Sequence, residues 1–148
     1  WAEAIAAEVA VFFLIGPWLI DRIGARGAAV VAALAGVVRW SGMSSTNSVL
    51  LLSLLQPLHG LTFALLHLAC MRVLGIVVPV GAAATAQTLY AFGAALVTAV
   101  LTSLSGTLYV RYGGVAFLSM ATLCLIALPF AWYGLPNHAN QRRLSVNS

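Results

Sequence analysis

The chain has 148 residues, of which 62% are hydrophobic and only 7% are charged. Soluble domains carry roughly 25% charged residues, so this composition excludes a water-soluble domain and indicates an integral membrane protein. The net charge of +4 comes from so few groups that it argues against nucleic-acid binding and reports instead on membrane topology.

The length allows about five to six membrane-spanning helices of about 20 residues each, with short connections. The apolar segments, taken in order, predict five spans at about 1–20, 28–47, 48–74, 82–110 and 115–135. We therefore predict an all-α polytopic membrane protein with a transmembrane part at 1–135 and a polar tail at 136–148. The chain opens on Trp1 without an initiator methionine, so we expect a fragment of a longer protein.

The first two segments carry ionisable residues inside apolar sequence. Glu8 lies within the first segment, and Arg39 lies within the second. Ionisable groups at membrane depth are costly and usually functional, because lipid offers them no hydrogen bonds. Charged residues in the turn between the segments are typical of a solvated turn or of a latch for one conformation: Asp21, Arg22 and Arg26.

The third segment places several polar residues in a stretch long enough to cross a bilayer. Pro57 cannot donate a hydrogen bond to Ser53, so it should open the helix beside Gln56. Gln56 and His59 share a helical face, whereas His67 should be rotated by about 80° from His59 and lie about 12 Å further along the axis. We therefore expect Gln56 and His59 to line a site, with His67 as a neighbour.

The fourth segment carries Gln87 and Tyr90 near its start. Small residues recur at every fourth position after them, a stripe that would let another helix approach closely. The stripe consists of Ala91, Ala95, Ala99, Ser103 and Thr107.

The arginines predict the orientation of the spans, since basic residues accumulate on the cytoplasmic side. All seven basic residues are arginine, and five spans would place Arg111 alone on one side, with Arg39 inside the membrane. The other side would receive Arg22, Arg26, Arg72, Arg142 and Arg143. We therefore expect the first turn and the C-terminal tail to be cytoplasmic.

Three ionisable residues on consecutive spans should lie at similar depths. At about 1.5 Å per residue, Glu8, Arg39 and His59 lie roughly 10 to 16 Å below the outer ends of their spans. Around a watery cavity they can neutralise one another. The alternatives are a structural ion pair of Glu8 with Arg39 and a packing role for His59. Nearby aromatic residues would contact either substrate or lipid and core: Trp40, Phe63 and Tyr90.

Several motifs, in the same order, resemble one known family. They are Ala7-Glu8-Val9 before Phe12-Phe13, Val38-Arg39-Trp40, the run from Gln56 through His59, Thr62-Phe63 and His67 to Arg72, Gln87-x-x-Tyr90 and Gly106-x-Leu108-Tyr109. This pattern resembles the phenylpropionate permease family of the major facilitator superfamily over nearly the whole chain. The resemblance implies helices 8 to 12 of a twelve-helix transporter, with the seventh helix and the N-terminal half absent. It also implies a cytoplasmic loop motif at Asp21, Arg22 and Arg26, and a place in a bacterial inner membrane.

Related sugar permeases place an acid, an arginine and a histidine on successive helices, and Glu8, Arg39 and His59 resemble that arrangement. Those permeases carry a further acid about a turn after the histidine, where this chain has Thr62 and Phe63. The role of that acid cannot be transferred, so Glu8 becomes the candidate for proton binding.

These observations predict a proton-coupled symporter for a small organic anion, with an aromatic carboxylate such as phenylpropionate implied by the resemblance. Glu8 would couple the proton, and Arg39 would pair with Glu8 once it is deprotonated or with a substrate carboxylate that competes for the guanidinium. The predicted substrate-binding residues are Arg39, Gln56, His59 and Phe63. The predicted secondary residues are His67, Trp40, Gln87 and Tyr90.

Other functions stay open. A related family would carry nucleosides or sugars, and a different class would be a non-transporting scaffold or a haem-binding membrane subunit. Haem ligation needs histidines on facing helices, whereas His59 and His67 share one helix and His138 lies in the tail. We expect no enzyme, no metal and no cofactor beyond a proton gradient. The expected partners are a small-molecule substrate, membrane lipid and the missing N-terminal half of the same transporter.

Overall fold

The computed structural model describes residues 2–135 and is helical through almost all of this range, without a strand among these residues. The all-α prediction is confirmed. The polar tail predicted at 136–148 and its cytoplasmic position fall outside the described residues, as does Trp1. Five helices succeed one another in the described part of the chain: α1 at 2–23, α2 at 25–45, α3 at Val49–Val77, α4 at Ala83–Tyr112 and α5 at Phe117–Gly134.

Short segments of other helix types interrupt this regular pattern. The stretch that forms α1 and α2 consists of α-helix at Ala2–Ala10, a π-helical turn at Val11–Ile15 and α-helix at Gly16–Ser45. The stretch that forms α3 consists of α-helix at Val49–Leu55 and Leu58–Gly60, a π-helical turn at Leu61–Leu65 and α-helix at Leu66–Val77. Short 3₁₀ turns at Val80–Ala82 and Gly113–Ala116 precede α4 and α5.

Gly24 alone separates α1 from α2. Its φ of 70° and ψ of 174° lie outside the helical region, in a range that costs glycine little because it has no Cβ. The sequence predicted a longer turn at 21–27. The turn is shorter because one residue with a positive φ is enough to redirect the chain, so the charged residues around it stay helical.

Contacts between helices give their directions. α1 and α3 are parallel, since paired residues rise together along both helices: Ala7 with Gly60, then Asp21 with Arg72. α2 is antiparallel to α3 and to α5, as these pairs indicate: Gly42 with Leu55, Gly36 with Thr62 and Cys124, Trp40 with Phe117, and Arg26 with Leu135. The chain therefore reverses at Gly24.

Within residues 2–135, three continuous helical stretches are long and apolar enough to cross a membrane: Ala2–Ser45, Val49–Val77 and Val80–Gly134. The first and the third each contain a glycine with a positive φ, Gly24 at 70° and Gly113 at 62°. The prediction of membrane-spanning helices is confirmed in this coarser form. The count of five crossings stays a prediction.

The core lies where α1 and α2 meet α3, and it is built mainly from small residues. Alanines on one face of α2 are fully or almost fully buried, and Leu65 is the largest fully buried side chain of the described chain. Small residues let helix backbones approach closely, and such close packing is what holds helices together inside a membrane. The buried α2 alanines are Ala25, Ala28, Ala29, Ala32 and Ala35.

α4 stands apart from this core. None of the residues of Ala83–Tyr112 is buried. The small-residue stripe predicted on this helix, from Ala91 to Thr107, is exposed in the described chain. Close approach of another helix to that stripe stays a prediction.

Candidate functional site

Glu8 and His59 come together between α1 and α3. Oε2 of Glu8 lies 4.0 Å from Nε2 of His59, and the two side chains keep 26% and 27% of their surface exposed. Nδ1 of the same imidazole is buried without a hydrogen-bond partner among residues 2–135. The pair attracts when both groups are charged, so a protonation change at either one switches that attraction on or off.

The backbone of α3 is irregular just before His59. Pro57 interrupts the α-helix, and shorter i→i+3 bonds take over around it: the Gln56 amide donates to the Ser53 carbonyl at 3.2 Å, and the His59 amide donates to the Gln56 carbonyl at 2.8 Å. The predicted opening of the helix at Pro57 is confirmed. The Ser53 carbonyl is not left free, however, because the Gln56 amide occupies it.

Arg39 lies on α2, with 9% of its surface exposed. Its guanidinium carbon is 4.6 Å from the centre of the Trp40 ring, and its Nε has no hydrogen-bond partner in the described part of the chain. A buried arginine with an unsatisfied N–H is costly, so an anion that reaches it would be stabilised.

Within residues 2–135, the carboxylates form ion pairs with His59 and Arg72, and none with Arg39. The sequence predicted that Glu8 would pair with Arg39 once deprotonated. In this arrangement Glu8 instead faces His59, because α1 lies directly against α3 while Arg39 packs against Trp40 on α2. Pairing of Glu8 with Arg39 in another conformation stays a prediction.

His59, Phe63 and His67 form a stack along one face of α3. The ring centres are 5.9 Å apart between His59 and Phe63, and 6.4 Å apart between Phe63 and His67. The sequence predicted a rotation of about 80° between the two histidines, which assumed regular α-helix. That prediction was wrong, because the π-helical turn at Leu61–Leu65 inserts one residue and rotates the rest of the helix back by about 100°.

A second polar contact, after that of Glu8 with His59, is made by His67, which lies further along α3. Its Nδ1 lies 3.5 Å from the Tyr90 hydroxyl of α4. The Phe12 ring of α1 meets the His67 ring edge-on, with centres 5.8 Å apart. His67 and Tyr90, both predicted as secondary residues, are thus brought together where α4 reaches α3.

The other predicted aromatic and amide residues are separated. Phe63 is 52% exposed beside the histidines, whereas Trp40 stacks on Phe117 with ring centres 5.6 Å apart. Trp40 and Phe117 line an open, mostly apolar cavity of about 520 Å³ between α2, α4 and α5. Gln56 is half-buried and Gln87 is exposed.

The charged residues around Gly24 connect three helix ends. Asp21 lies 3.4 Å from Arg72 at the end of α3. Arg26 donates two hydrogen bonds to the Leu135 carbonyl just beyond α5, at 2.8 Å from Nε and 2.6 Å from Nη2. The Arg22 guanidinium lies over the Trp18 ring at 5.2 Å. These contacts place the Gly24 turn and the last residues of α3 and α5 at one end of the bundle.

Gly60 belongs to the site and was missed by the sequence reasoning. It is buried next to His59 on α3, and its Cα faces the backbone of Ala7 and Glu8. The available signal was a glycine adjacent to a polar residue in an apolar helix, where small residues mark close helix contacts.

Comparison with known proteins points to a transporter family. The model of the MFS_1 like family matches residues 1–121. The chain is 35% identical over 134 residues, 87% of its length, to a protein named "Probable 3-phenylpropionic acid transporter" from Escherichia coli (strain K12). The chain spans about a third of the length of that relative, 33%. No solved structure matches the chain.

Proposed function

This chain belongs to the MFS_1 like family, and we propose that it is part of a proton-coupled secondary active transporter, a symporter, for a small organic anion. The observation that carries the proposal is a polar cluster in an apolar bundle. Glu8 meets His59 at 4.0 Å, and the buried Arg39 has an unpaired Nε on α2, which packs against α3. Ionisable residues inside membrane proteins typically mark proton or substrate pathways.

The five helices would each cross the membrane. A straight helix of the 44 residues Ala2–Ser45 would be about 66 Å long, more than twice the roughly 30 Å of the hydrocarbon core. The reversal at Gly24 divides this stretch into two pieces of suitable length, and the turn at Gly113 divides Val80–Gly134 in the same way. These two turns would make the crossings alternate in direction.

The end of the bundle that holds the Gly24 turn would face the cytoplasm. Arg22, Arg26 and Arg72 are gathered there, and basic residues accumulate on the cytoplasmic side. Leu135 lies at the same end, so the chain that continues from it would start in the cytoplasm. The membrane would be a bacterial inner membrane.

Glu8 would carry the coupled proton, with His59 as its partner. When Glu8 is ionised it attracts a protonated His59, and protonation of the carboxyl releases that attraction. A proton bound on one side of the membrane would thus weaken the α1–α3 contact, and its release on the other side would restore it.

Arg39 would hold the substrate carboxylate. A guanidinium with a free N–H binds carboxylates through charge-assisted hydrogen bonds, and burial strengthens such bonds by excluding water. The half-exposed Phe63 ring lies beside His59 and would contact an aromatic group of the substrate. The relative from Escherichia coli is named as a probable transporter of 3-phenylpropionic acid, which supports an aromatic carboxylate here.

Transport would need more than the described helices. Alternating access requires two halves that rock around a central site, and α1 to α5 supply one wall of it. The other wall would come from the N-terminal half of the same transporter, with lipid covering the outward apolar faces. The driving force would be the proton gradient, without an enzymatic step, a metal or an organic cofactor.

The test is uptake of labelled 3-phenylpropionate into proteoliposomes that contain the native gene product. An imposed inward proton gradient should cause accumulation above the external concentration, and a protonophore should abolish it. Unlabelled aromatic carboxylates should compete, whereas nucleosides and disaccharides should not. Competition only by nucleosides or disaccharides would replace the anion assignment, and absence of flux with every substrate would favour a non-transporting scaffold.

A further inference from the structure

The backbones of α1 and α3 touch at Gly60. A Cβ at this position would lie 2.7 Å from both the carbonyl carbon and the carbonyl oxygen of Ala7, and 2.9 Å from the amide nitrogen of Glu8. Heavy atoms that are not bonded normally stay about 3.5 to 4.0 Å apart. Only glycine fits this contact without moving one helix.

The obstacle at Gly60 is the backbone of a neighbouring helix, which distinguishes it from the other tight glycines, whose close contacts are side chains or, at Gly16, also the Val11 carbonyl of its own helix. At Gly36 the nearest atom is the Cys124 sulfur at 2.6 Å, and at Gly42 it is a Leu55 methyl carbon at 2.8 Å. Those side chains can rotate away from an added methyl group. The Ala7 carbonyl cannot, because it is part of α1, so a methyl at position 60 must separate the two helices.

The contact lies directly at the proposed coupling pair. Gly60 follows His59 in the chain, and the backbone that it touches includes the Glu8 amide. Restoring normal contact distances would move α1 from α3 by about 1 Å. The Glu8–His59 distance of 4.0 Å is already at the outer limit of an ion pair, which is about 4 Å. The Glu8–His59 ion pair would therefore be lost before other contacts between α1 and α3.

We propose that Gly60 is the positioning residue that sets the distance between Glu8 and His59 and so links proton binding to substrate movement. This inference rests on the proposed function of the Glu8–His59 pair. Gly60 itself touches neither proton nor substrate. It acts by leaving room for α1 against α3, which keeps the two side chains in reach of one another.

The test compares Gly60→Ala with Gly75→Ala in the native gene product. Gly75 lies on the same helix, and a Cβ there has no atom of the described chain within 4 Å, so both variants make the same chemical change. Two rates are measured in proteoliposomes: accumulation driven by a proton gradient, and exchange of labelled for unlabelled substrate without a gradient. Exchange requires a folded site but no net proton movement.

Gly60→Ala should reduce proton-driven accumulation at least tenfold while exchange stays within about threefold of the wild type, and Gly75→Ala should leave both unchanged. In a Glu8→Gln background, which should already lack accumulation, Gly60→Ala should leave exchange within the same threefold, because the pair it positions is already gone. Equal effects of the two glycine variants would overturn the proposal. A loss of exchange as large as the loss of accumulation, or disappearance of Gly60→Ala protein from the membrane, would do so too, since both mark a general packing role. If the wild type itself shows no proton-driven accumulation, the proposed function fails rather than this inference.

Discussion

Replacement of Arg39 by glutamine tests how the site recognises a negative charge. The guanidinium is 9% exposed, and its Nε is unpaired within residues 2–135, so a bound carboxylate would supply a missing partner. Hydrogen bonds that involve a charged group contribute about 1.5 to 3 kcal/mol. At about 1.4 kcal/mol per tenfold change, the substitution should weaken carboxylate binding by roughly 10- to 150-fold.

The assay measures inhibition constants for 3-phenylpropionate and for its neutral amide, which keeps the ring and the chain length. Arg39→Gln also removes the cation–π contact with Trp40 at 4.6 Å, a contribution of about 0.5 to 2 kcal/mol. That loss affects both ligands, so the ratio of the two constants isolates the charge effect. In Arg39→Gln, the preference for the acid over the amide should therefore fall by roughly 10- to 150-fold.

Arg111→Gln is the matched control. Arg111 is exposed at the end of α4 and lies over the ring of the next residue, Tyr112, at 5.7 Å, as Arg39 lies over Trp40. Its replacement should leave the acid-to-amide preference unchanged. An unchanged preference in Arg39→Gln as well would refute the reasoning, because it would mean that the buried guanidinium does not meet the substrate anion.

Two further predictions concern the bundle. Arg26→Gln should lower the melting temperature of the detergent-solubilised protein by a few degrees in a thermal-shift assay, because two charge-assisted hydrogen bonds to the Leu135 carbonyl are lost. Arg22→Gln is the control, and equal melting temperatures of the two variants would contradict the prediction. Single cysteines at Gly81 and at Val115, in a background without native cysteines, should react with a membrane-impermeant maleimide from opposite sides. If the cysteine at position 115 reacted from neither side, the result would instead support a single membrane crossing by Val80–Gly134.

Much of the architecture can be predicted from the sequence because apolar length is a strong signal. The five predicted segments correspond to the five helices within a few residues at most ends. Depth along a helix was also predictable, since a fixed rise per residue is enough to bring Glu8 and His59 to similar levels. The pairing of these two side chains at 4.0 Å is consistent with that estimate.

The parts that could not be predicted depend on single residues that change helix geometry. The π-helical turn at Leu61–Leu65 has no sequence signal as clear as a proline, yet it decides that His67 shares a face with His59. The backbone contact at Gly60 likewise depends on how α1 approaches α3. That approach is set by packing over the whole bundle and not by local sequence.

The partner of Glu8 shows the same limit. Opposite charge made Arg39 the natural choice from sequence, because both were expected at midplane depth. The choice between Arg39 and His59 depends on which helix lies against α1, and α1 packs on α3. Electrostatic attraction alone could not determine this, since it acts only between groups that packing has already brought together.

The central claim is that Glu8 carries the coupled proton, and Glu8→Gln tests it most directly. In proteoliposomes with an imposed proton gradient, the native gene product should accumulate 3-phenylpropionate, whereas the Glu8→Gln variant should only equilibrate it and keep substrate exchange. Glu3→Gln, a change at an exposed acid of the same helix, should accumulate substrate like the wild type. Full proton-driven accumulation by Glu8→Gln would contradict the account.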